Sequence, residues 1–173
     1  RMYHATAVLL PDGRVLVAGQ TDGPGARTGE IYHPPYLFRG ERPEFEGPPT
    51  IVPYSHWFRI RTPDHADVES VVLVKLSSVT HSVNYDQRLV DLAFAGDGSG
   101  TILARGPARP TEAPPGYYML FLVNEAGVPS EAAMVHVEPW TVGDVNADGI
   151  VDFADVQRLL AAWGSCAAHG ACP

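Results

Sequence analysis

A chain of 173 residues, 45% hydrophobic and only 18% charged, has room for one sizeable core and a small appendage, and it contains no apolar run near the roughly 18 residues that span a bilayer. Its formal net charge of −8, with no Lys/Arg cluster in the sequence to neutralise phosphates, argues against nucleic acid or an anionic membrane as partner. The 16 prolines and 17 glycines punctuate short runs of Val, Ile, Leu, Tyr and Phe, the pattern of a mostly β chain with many turns.

Residues 5–10 and 14–18 favour strands, and Pro11-Asp12-Gly13 between them supplies a turn in which glycine takes positive φ, so the pair is a hairpin. A Gly/Pro-rich stretch follows, then a short strand at 29–33 that stops at the stiff Pro34-Pro35. Three strands bury no core by themselves. Residues 1–40 therefore read as the remnant of a larger β-domain, and Arg1-Met2, standing directly before strand-like sequence with no leader, places the natural N-terminus further upstream.

From residue 41 to 138 short strands recur at regular spacing, read at 50–52, 57–61, 68–75, 89–94, 101–104, 117–123 and 132–137. About seven strands in about 100 residues is the size of an immunoglobulin-like β-sandwich. The nearly continuous apolar run at 117–123, entered through Pro114-Pro115-Gly116, is expected at the centre of a sheet, buried on both faces. One connection is too long for a turn: residues 77–88 carry Thr80, His81, Asn84, Asp86, Gln87 and Arg88. Hairpin loops take about 2 to 5 residues, so this one is functional or mobile.

After Pro139-Trp140, four aspartates stand against the single cation Arg158, a local charge of −3. Their spacing is that of a calcium loop: Asp144, Asn146 and Asp148 at positions 1, 3 and 5, Gly149 at the sharp turn, the Ile150 carbonyl at 7, Asp152 at 9 and Asp155 at 12. Asp155 stands where such loops more often have Glu, whose longer side chain chelates more readily. The competing reading is a solvated acidic loop in which Asp152 only caps the following helix. In that helix Val156, Leu159, Leu160 and Trp163 share one face, and Gly164 ends it. Residues 139–165 thus form a small EF-hand-like loop and helix, and 166–173 a tail. Cys166 and Cys172 lie too far along to staple the main body; they suit a short disulfide in an exported protein, against a zinc site through His169 that supplies only three ligands.

The remaining constellation is Tyr3-His4 with His81. Imidazoles suit copper, iron, nickel or zinc, and a phenol ligates once a metal lowers its pKa from about 10. Neighbours on a regular strand point to opposite faces, so Tyr3 and His4 can share an ion only at a strand end or kink. Taken alone, the residues favour a plainer picture, with Tyr3 in a core and His4 hydrogen-bonded at a surface; His33, His56, His65, His136 and His169 stay with it.

The stretch Arg1-Met2-Tyr3-His4-Ala5-Thr6, leading into Leu9-Leu10-Pro11-Asp12-Gly13-Arg14-Val15, resembles the last propeller blade of galactose oxidase and its glyoxal-oxidase-like relatives. Similar segments follow in the family's order: Pro34-Pro35-Tyr36-Leu37-Phe38, then Val79-Thr80-His81-Ser82-Val83-Asn84-Tyr85-Asp86-Gln87-Arg88, then Pro115-Gly116-Tyr117-Tyr118-Met119-Leu120-Phe121 and Gly127-Val128-Pro129-Ser130. The resemblance implies that residues 1–40 end a kelch propeller. Residues 41–138 are then an immunoglobulin-like, early-set sandwich whose long loop threads toward the propeller axis to deliver His81. By the family pattern Tyr3 is the axial copper ligand and the proton acceptor from substrate, and His4 and His81 are equatorial copper ligands. The cross-linked tyrosine–cysteine pair that stores the family's radical is expected upstream, so the chain alone is expected to be inactive. The implied parent is a secreted, extracellular oxidase of primary alcohols or aldehydes of carbohydrate type, reducing O2 to H2O2. The alternative is a non-catalytic extracellular propeller and sandwich scaffold, or a carbohydrate-associated binding protein, attached through its calcium module.

Residues 143–163 resemble one half of a type I dockerin, the duplicated calcium module that binds cohesin in extracellular polysaccharide-degrading assemblies. One repeat stands where dockerins carry two, and loop positions 10 and 11, which help dockerins select cohesin, are Phe153 and Ala154 rather than hydroxyl residues. The implied partners are the upstream propeller and, for the tail, a cohesin-like or cell-surface partner.

Overall fold

The computed structural model describes residues 4–19, 28–96, 98–139, 143–145 and 151–163. The chain opens with an antiparallel meander of β1 (Thr6–Leu9), β2 (Val15–Ala18) and β3 (Gly29–Tyr32). Gly13, at φ +81°, closes the first turn by donating its N–H to the Leu10 carbonyl at 2.9 Å. Asp12 braces the same turn, accepting from Arg14 Nε at 2.7 Å and from the Arg14 backbone at 3.0 Å. The Arg14 side-chain hydrogen bond holds the Asp12 carboxyl below the ordinary carboxylate range.

A 3₁₀ turn at Pro35–Phe38 leads into the main body, whose strands are β4 (Ile51–Pro53), β5 (Trp57–Arg61), β6 (Val68–Lys75), β7 (Val79–Thr80), β8 (Val83–Asn84), β9 (Leu89–Leu92), β10 (Phe94–Gly96), β11 (Thr101–Arg105), β12 (Gly116–Asn124) and β13 (Ala133–Glu138). Five of them form a sheet in the order β4-β13-β12-β6-β9, antiparallel except for the parallel β13/β4 pair. Three more form an antiparallel sheet in the order β10-β11-β5. Strict alternation faces the two sheets toward each other: Phe58 and Ile60 from β5 meet Leu73, Ile102, Tyr118, Leu120, Leu122, Val135 and Val137 in one core. Burying a side chain of this size contributes about 1.5–3 kcal/mol, and a slip by one residue would turn the whole set outward, so burial sets the register.

The stretch expected as one strand at 89–94 is two. β9 belongs to the five-stranded sheet and β10 to the other, and the chain changes sheets at Ala93, whose carbonyl accepts from Arg105 N–H at 2.8 Å. Leu92 and Phe94 both pack on the core from different sheets, so the local alternation looks continuous although the strand is not.

The run at the centre of β12 is buried on both sides. Met119 and Phe121 join Val72 and Val74 on the outer face of the five-stranded sheet, where Leu9 of the meander packs against them. Arg42 clamps the meander there: Nη1 donates to the Asp12 carbonyl at 2.9 Å, Nε to Pro129 at 2.9 Å and Nη2 to Ser130 at 2.6 Å. Ala132 N–H adds a bond to the Pro11 carbonyl at 2.8 Å. Beyond the sandwich lies α1 (Phe153–Trp163), and no helix among the described residues is long and apolar enough to cross a membrane.

Candidate metal centre

His4, two residues before β1, adopts a left-handed φ of +64°, so the chain kinks just ahead of the strand. Gly19, at the far end of β2 with φ +83°, lies against this kink; a Cβ there would fall 2.3 Å from the His4 carbonyl oxygen. Only glycine fits both demands. A kink at a strand end is the condition under which Tyr3 and His4 can address one point. Tyr3 itself lies outside the described residues.

His81 sits at the tip of a small hairpin. Thr80 of β7 pairs with Val83 of β8, leaving His81-Ser82 as a two-residue turn with φ values of +54° and +63°. Positive φ at both central residues is the type I′ geometry that matches strand twist and that Asn and Gly usually supply. Two non-glycine residues there store strain of about 1–2 kcal/mol each, a cost that tends to collect at functional positions.

The base of the hairpin is built on Asn84. Its Oδ1 accepts from the backbone N–H groups of Ser78 (3.2 Å), Gln87 (3.2 Å) and Asp86 (3.4 Å), and its Nδ2 donates to Ser77 Oγ (3.0 Å) and Gln87 Oε1 (3.1 Å). Arg88 Nη1 then ties the base to the sandwich through the carbonyls of Thr111 and Glu112, each at 2.9 Å, and Lys75 reaches Asp86 at 3.6 Å. The 77–88 connection is therefore a hydrogen-bonded arm.

The arm carries His81 to His4. Their ring centroids are 4.6 Å apart with the planes inclined at 51°, a tilt rather than a stack. Thr80 Oγ1 lies 2.7 Å from His81 Nδ1, so Nδ1 is engaged by the preceding residue and Nε2 is the nitrogen that would ligate an ion. Two exposed imidazoles meeting from separate elements suit a borderline metal such as copper or zinc. The fit is that of part of a site, because no group of three or more His, Cys, Asp and Glu residues converges among the described residues. His33, His56 and His136 stand apart from it: His56 Nδ1 is 2.7 Å from the Tyr54 carbonyl and His136 Nδ1 is 2.7 Å from Glu138.

In the acidic tail, Asp144 and Asp155 are each only 3% exposed. Asp155 joins the loop to the helix, accepting from Val145 N–H at 2.7 Å through Oδ1 and from Asp152 N–H at 2.8 Å through Oδ2. Asp152 accepts from Ala154 N–H at 2.7 Å, an N-cap for α1. Asn146, Asp148 and Ile150 lie outside the described residues, as do Cys166 and Cys172. The shared apolar face is not in a core: Val156, Leu159 and Leu160 are 46%, 48% and 60% exposed.

Sequence reasoning noted Thr80 and Asn84 on the arm but assigned them no role, and it passed over Gly19. A Thr directly before His81 and an Asn three residues after it were the available signals for the arm. Nothing in the neighbouring sequence marks Gly19, because what forbids a side chain there, besides its positive φ, is the carbonyl of His4, which precedes the paired strand.

Residues 42–137 match the family described as galactose oxidase-like, early set domain, and the chain belongs to that family. It is 37% identical over 159 residues to an aldehyde oxidase GLOX of Vitis pseudoreticulata, covering 80% of this chain and 30% of that protein. Against galactose oxidase of Gibberella zeae the identity is 32% over 151 residues, covering 79% and 21%. A solved fungal alcohol oxidase of the AA5 family, in complex with copper, matches with a TM-score of 0.68 and 32% identity over 77% of this chain and 30% of its own. The chain thus spans less than a third of the length of these relatives.

Proposed function

We propose that the chain is the C-terminal part of a secreted copper radical oxidase acting on primary alcohols or aldehydes of carbohydrate type, with residues 1–40 closing its kelch propeller. The observation that supports this most is the meeting of His4 and His81, 4.6 Å apart by ring centroid, one held at a strand-end kink and the other at the tip of a dedicated arm. Kinship with the copper-bound alcohol oxidase supports copper as the ion.

In this reading His4, His81 through Nε2, and Tyr3 hold the ion. Tyr3 takes the hydroxyl proton of the bound alcohol, Thr80 keeps the His81 ring at a fixed rotation, and Asn84 keeps the arm from drifting. Copper, with a radical tyrosine–cysteine pair supplied from upstream, provides the two-electron oxidising capacity. In balance, a –CH2OH group loses two hydrogens to become an aldehyde and O2 gains both to become H2O2; an aldehyde reacts as its hydrate and leaves as the acid.

In the full-length protein, His81→Ala is expected to abolish peroxide release and to change the hyperfine pattern of the Cu(II) electron paramagnetic resonance spectrum. Retained turnover refutes the ligand assignment. An upstream sequence lacking either the tyrosine or the cysteine moves the reading to the scaffold alternative.

The tail is proposed as a half-dockerin calcium module, with oxygens from Asp144, Asn146, Asp148, Ile150, Asp152 and Asp155, that attaches the protein to a cohesin-like or cell-surface partner. The spacing of these oxygens within a segment of net charge −3 supports it. Extracellular calcium would saturate even a site of about 10⁻⁴–10⁻³ M, and a Cys166–Cys172 disulfide would suit the same compartment. Calcium is expected to raise helical circular dichroism, and an unchanged response in Asp144→Ala overturns the loop assignment.

A further inference from the structure

We propose that the outer face of the three-stranded sheet binds an anionic polysaccharide through Trp57, Arg59, Arg61 and Arg105. On β5 the core takes Phe58 and Ile60, which turns Trp57, Arg59 and Arg61 outward; on β11 it takes Ile102 and Ala104, which turns Thr101, Leu103 and Arg105 outward. The register sets Trp57 opposite Arg105, Arg59 opposite Leu103 and Arg61 opposite Thr101. Aromatic and guanidinium groups thus stand side by side at one end of the face, with a second and third guanidinium further along the same strand.

Two features separate this face from the rest of the surface. The chain has 20 acidic against 12 basic residues, yet no outward position on β5 or β11 is acidic. Four of the other cations are engaged within the protein, Arg14 with Asp12, Arg42 and Arg88 with backbone carbonyls, and Lys75 with Asp86, whereas Arg39 and Arg109 stand singly elsewhere among the described residues. Arg59, Arg61 and Arg105 form no side-chain hydrogen bond or ion pair with another described residue, and Trp57 is 53% exposed beside them. Carboxylates stand at the edges of the face: Asp91 and Glu112 share a cleft with Arg105, and Glu46 lies alongside β5, its backbone N–H donating to the Arg61 carbonyl at 2.9 Å.

Charge and spacing select the partner. Alternate residues on a strand are about 6.8 Å apart, so Trp57, Arg59 and Arg61 form a straight row with one cation per step. A linear glycan with a carboxylate or sulfate on every sugar or every second sugar offers anions at comparable intervals. Its rings present C–H faces to an indole, and guanidinium pairs with either anion in bidentate fashion. Duplex DNA carries a charge about every 1.7 Å, and a protein of net charge −8 repels so dense a polyanion more than three guanidiniums offset. The face lies on the side of the sandwich away from the meander, which packs on the outer surface of the five-stranded sheet, so the proposal stands independently of the His4–His81 site.

Affinity electrophoresis of the chain through gels containing polygalacturonate, κ-carrageenan (one sulfate on every second sugar) or neutral galactan tests this, with a single-stranded oligonucleotide and polyglutamate as competitors. Retardation is expected with polygalacturonate or κ-carrageenan and not with galactan, and the arm that binds more tightly identifies carboxylate or sulfate as the anion. Arg59→Gln with Arg61→Gln should weaken binding about tenfold, Trp57→Ala comparably, and about 0.5 M salt should abolish it, while Arg39→Gln on another face changes nothing. Thermal melts of the variants separate loss of binding from loss of fold. Equal retardation in galactan, an equal loss in Arg39→Gln, tighter binding of the oligonucleotide or of polyglutamate, or no retardation in any gel overturns the proposal.

Discussion

The sandwich and its polar appendages, the 77–88 arm and the acidic tail, are held by different forces. Leu73, Leu120, Ile102 and Val135 are all at 0% exposure, each gripped by many apolar neighbours. In the arm a single amide, Asn84, makes five hydrogen bonds, and in the tail Asp155 at 3% exposure links loop to helix while Leu160 of the same helix is 60% exposed. Position in the sandwich is over-determined by packing; in the appendages it hangs on individual polar groups. Substitutions there can move the chemistry while the fold stands.

The largest effect should come from the sandwich. Leu120→Ala opens a cavity in the shared core, and urea denaturation is expected to show a loss of about 2–5 kcal/mol. A loss below about 1 kcal/mol would mean that the core collapses around the gap and that the contrast is overstated. Asp155→Asn should act locally, weakening two carboxylate–amide bonds at about 1.5–3 kcal/mol each, so that helical circular dichroism falls while the urea midpoint of the sandwich stays in place. If both move together, the tail and the sandwich are one cooperative unit.

Gly19→Ala tests the kink. Its φ of +83° and the 2.3 Å approach to the His4 carbonyl predict a cost of about 1–3 kcal/mol and loss of the nuclear Overhauser contact between the His4 and His81 rings. An unchanged contact would show that the kink does not depend on close approach by β2. Thr80→Val should leave stability nearly unaltered yet weaken Cu(II) binding about tenfold, with Thr80→Ser restoring it.

The smallest effect near neutrality concerns Tyr118, whose phenol is pushed up from 10.0 to about 12, mainly by burial. The folded state keeps this proton where the unfolded chain has lost it. That contribution is therefore complete below pH 10 and disappears as pH rises toward 12. Tyr118→Phe should flatten the alkaline limb of the stability curve; an unchanged limb assigns it to other groups.

Local patterns carried much of the architecture. Short β-favouring runs marked strands such as the one at 57–61, Gly13 marked its turn, the apolar run through Leu120 marked a central strand, and the length of 77–88 marked a special connection. Each depends on residues within a few positions of one another, which is what periodicity can report. The change of sheets at Ala93 escaped it, because Leu92 and Phe94 face the same core from opposite sheets and the alternation never breaks.

By itself the sequence determined the strand pattern, the turn chemistry and the residue types available for binding metal. Only tertiary structure decided which of them meet: that His81 lies against His4, that Gly19 can be nothing larger, that Asp155 is buried while Leu160 is not, and that Arg59, Arg61 and Arg105 share one face although no run of basic residues exists. The physical reason is that a strand's neighbours are fixed by pairing and burial with segments far along the chain. Local preference shows which face a residue prefers, and the packing of whole sheets settles what stands opposite it.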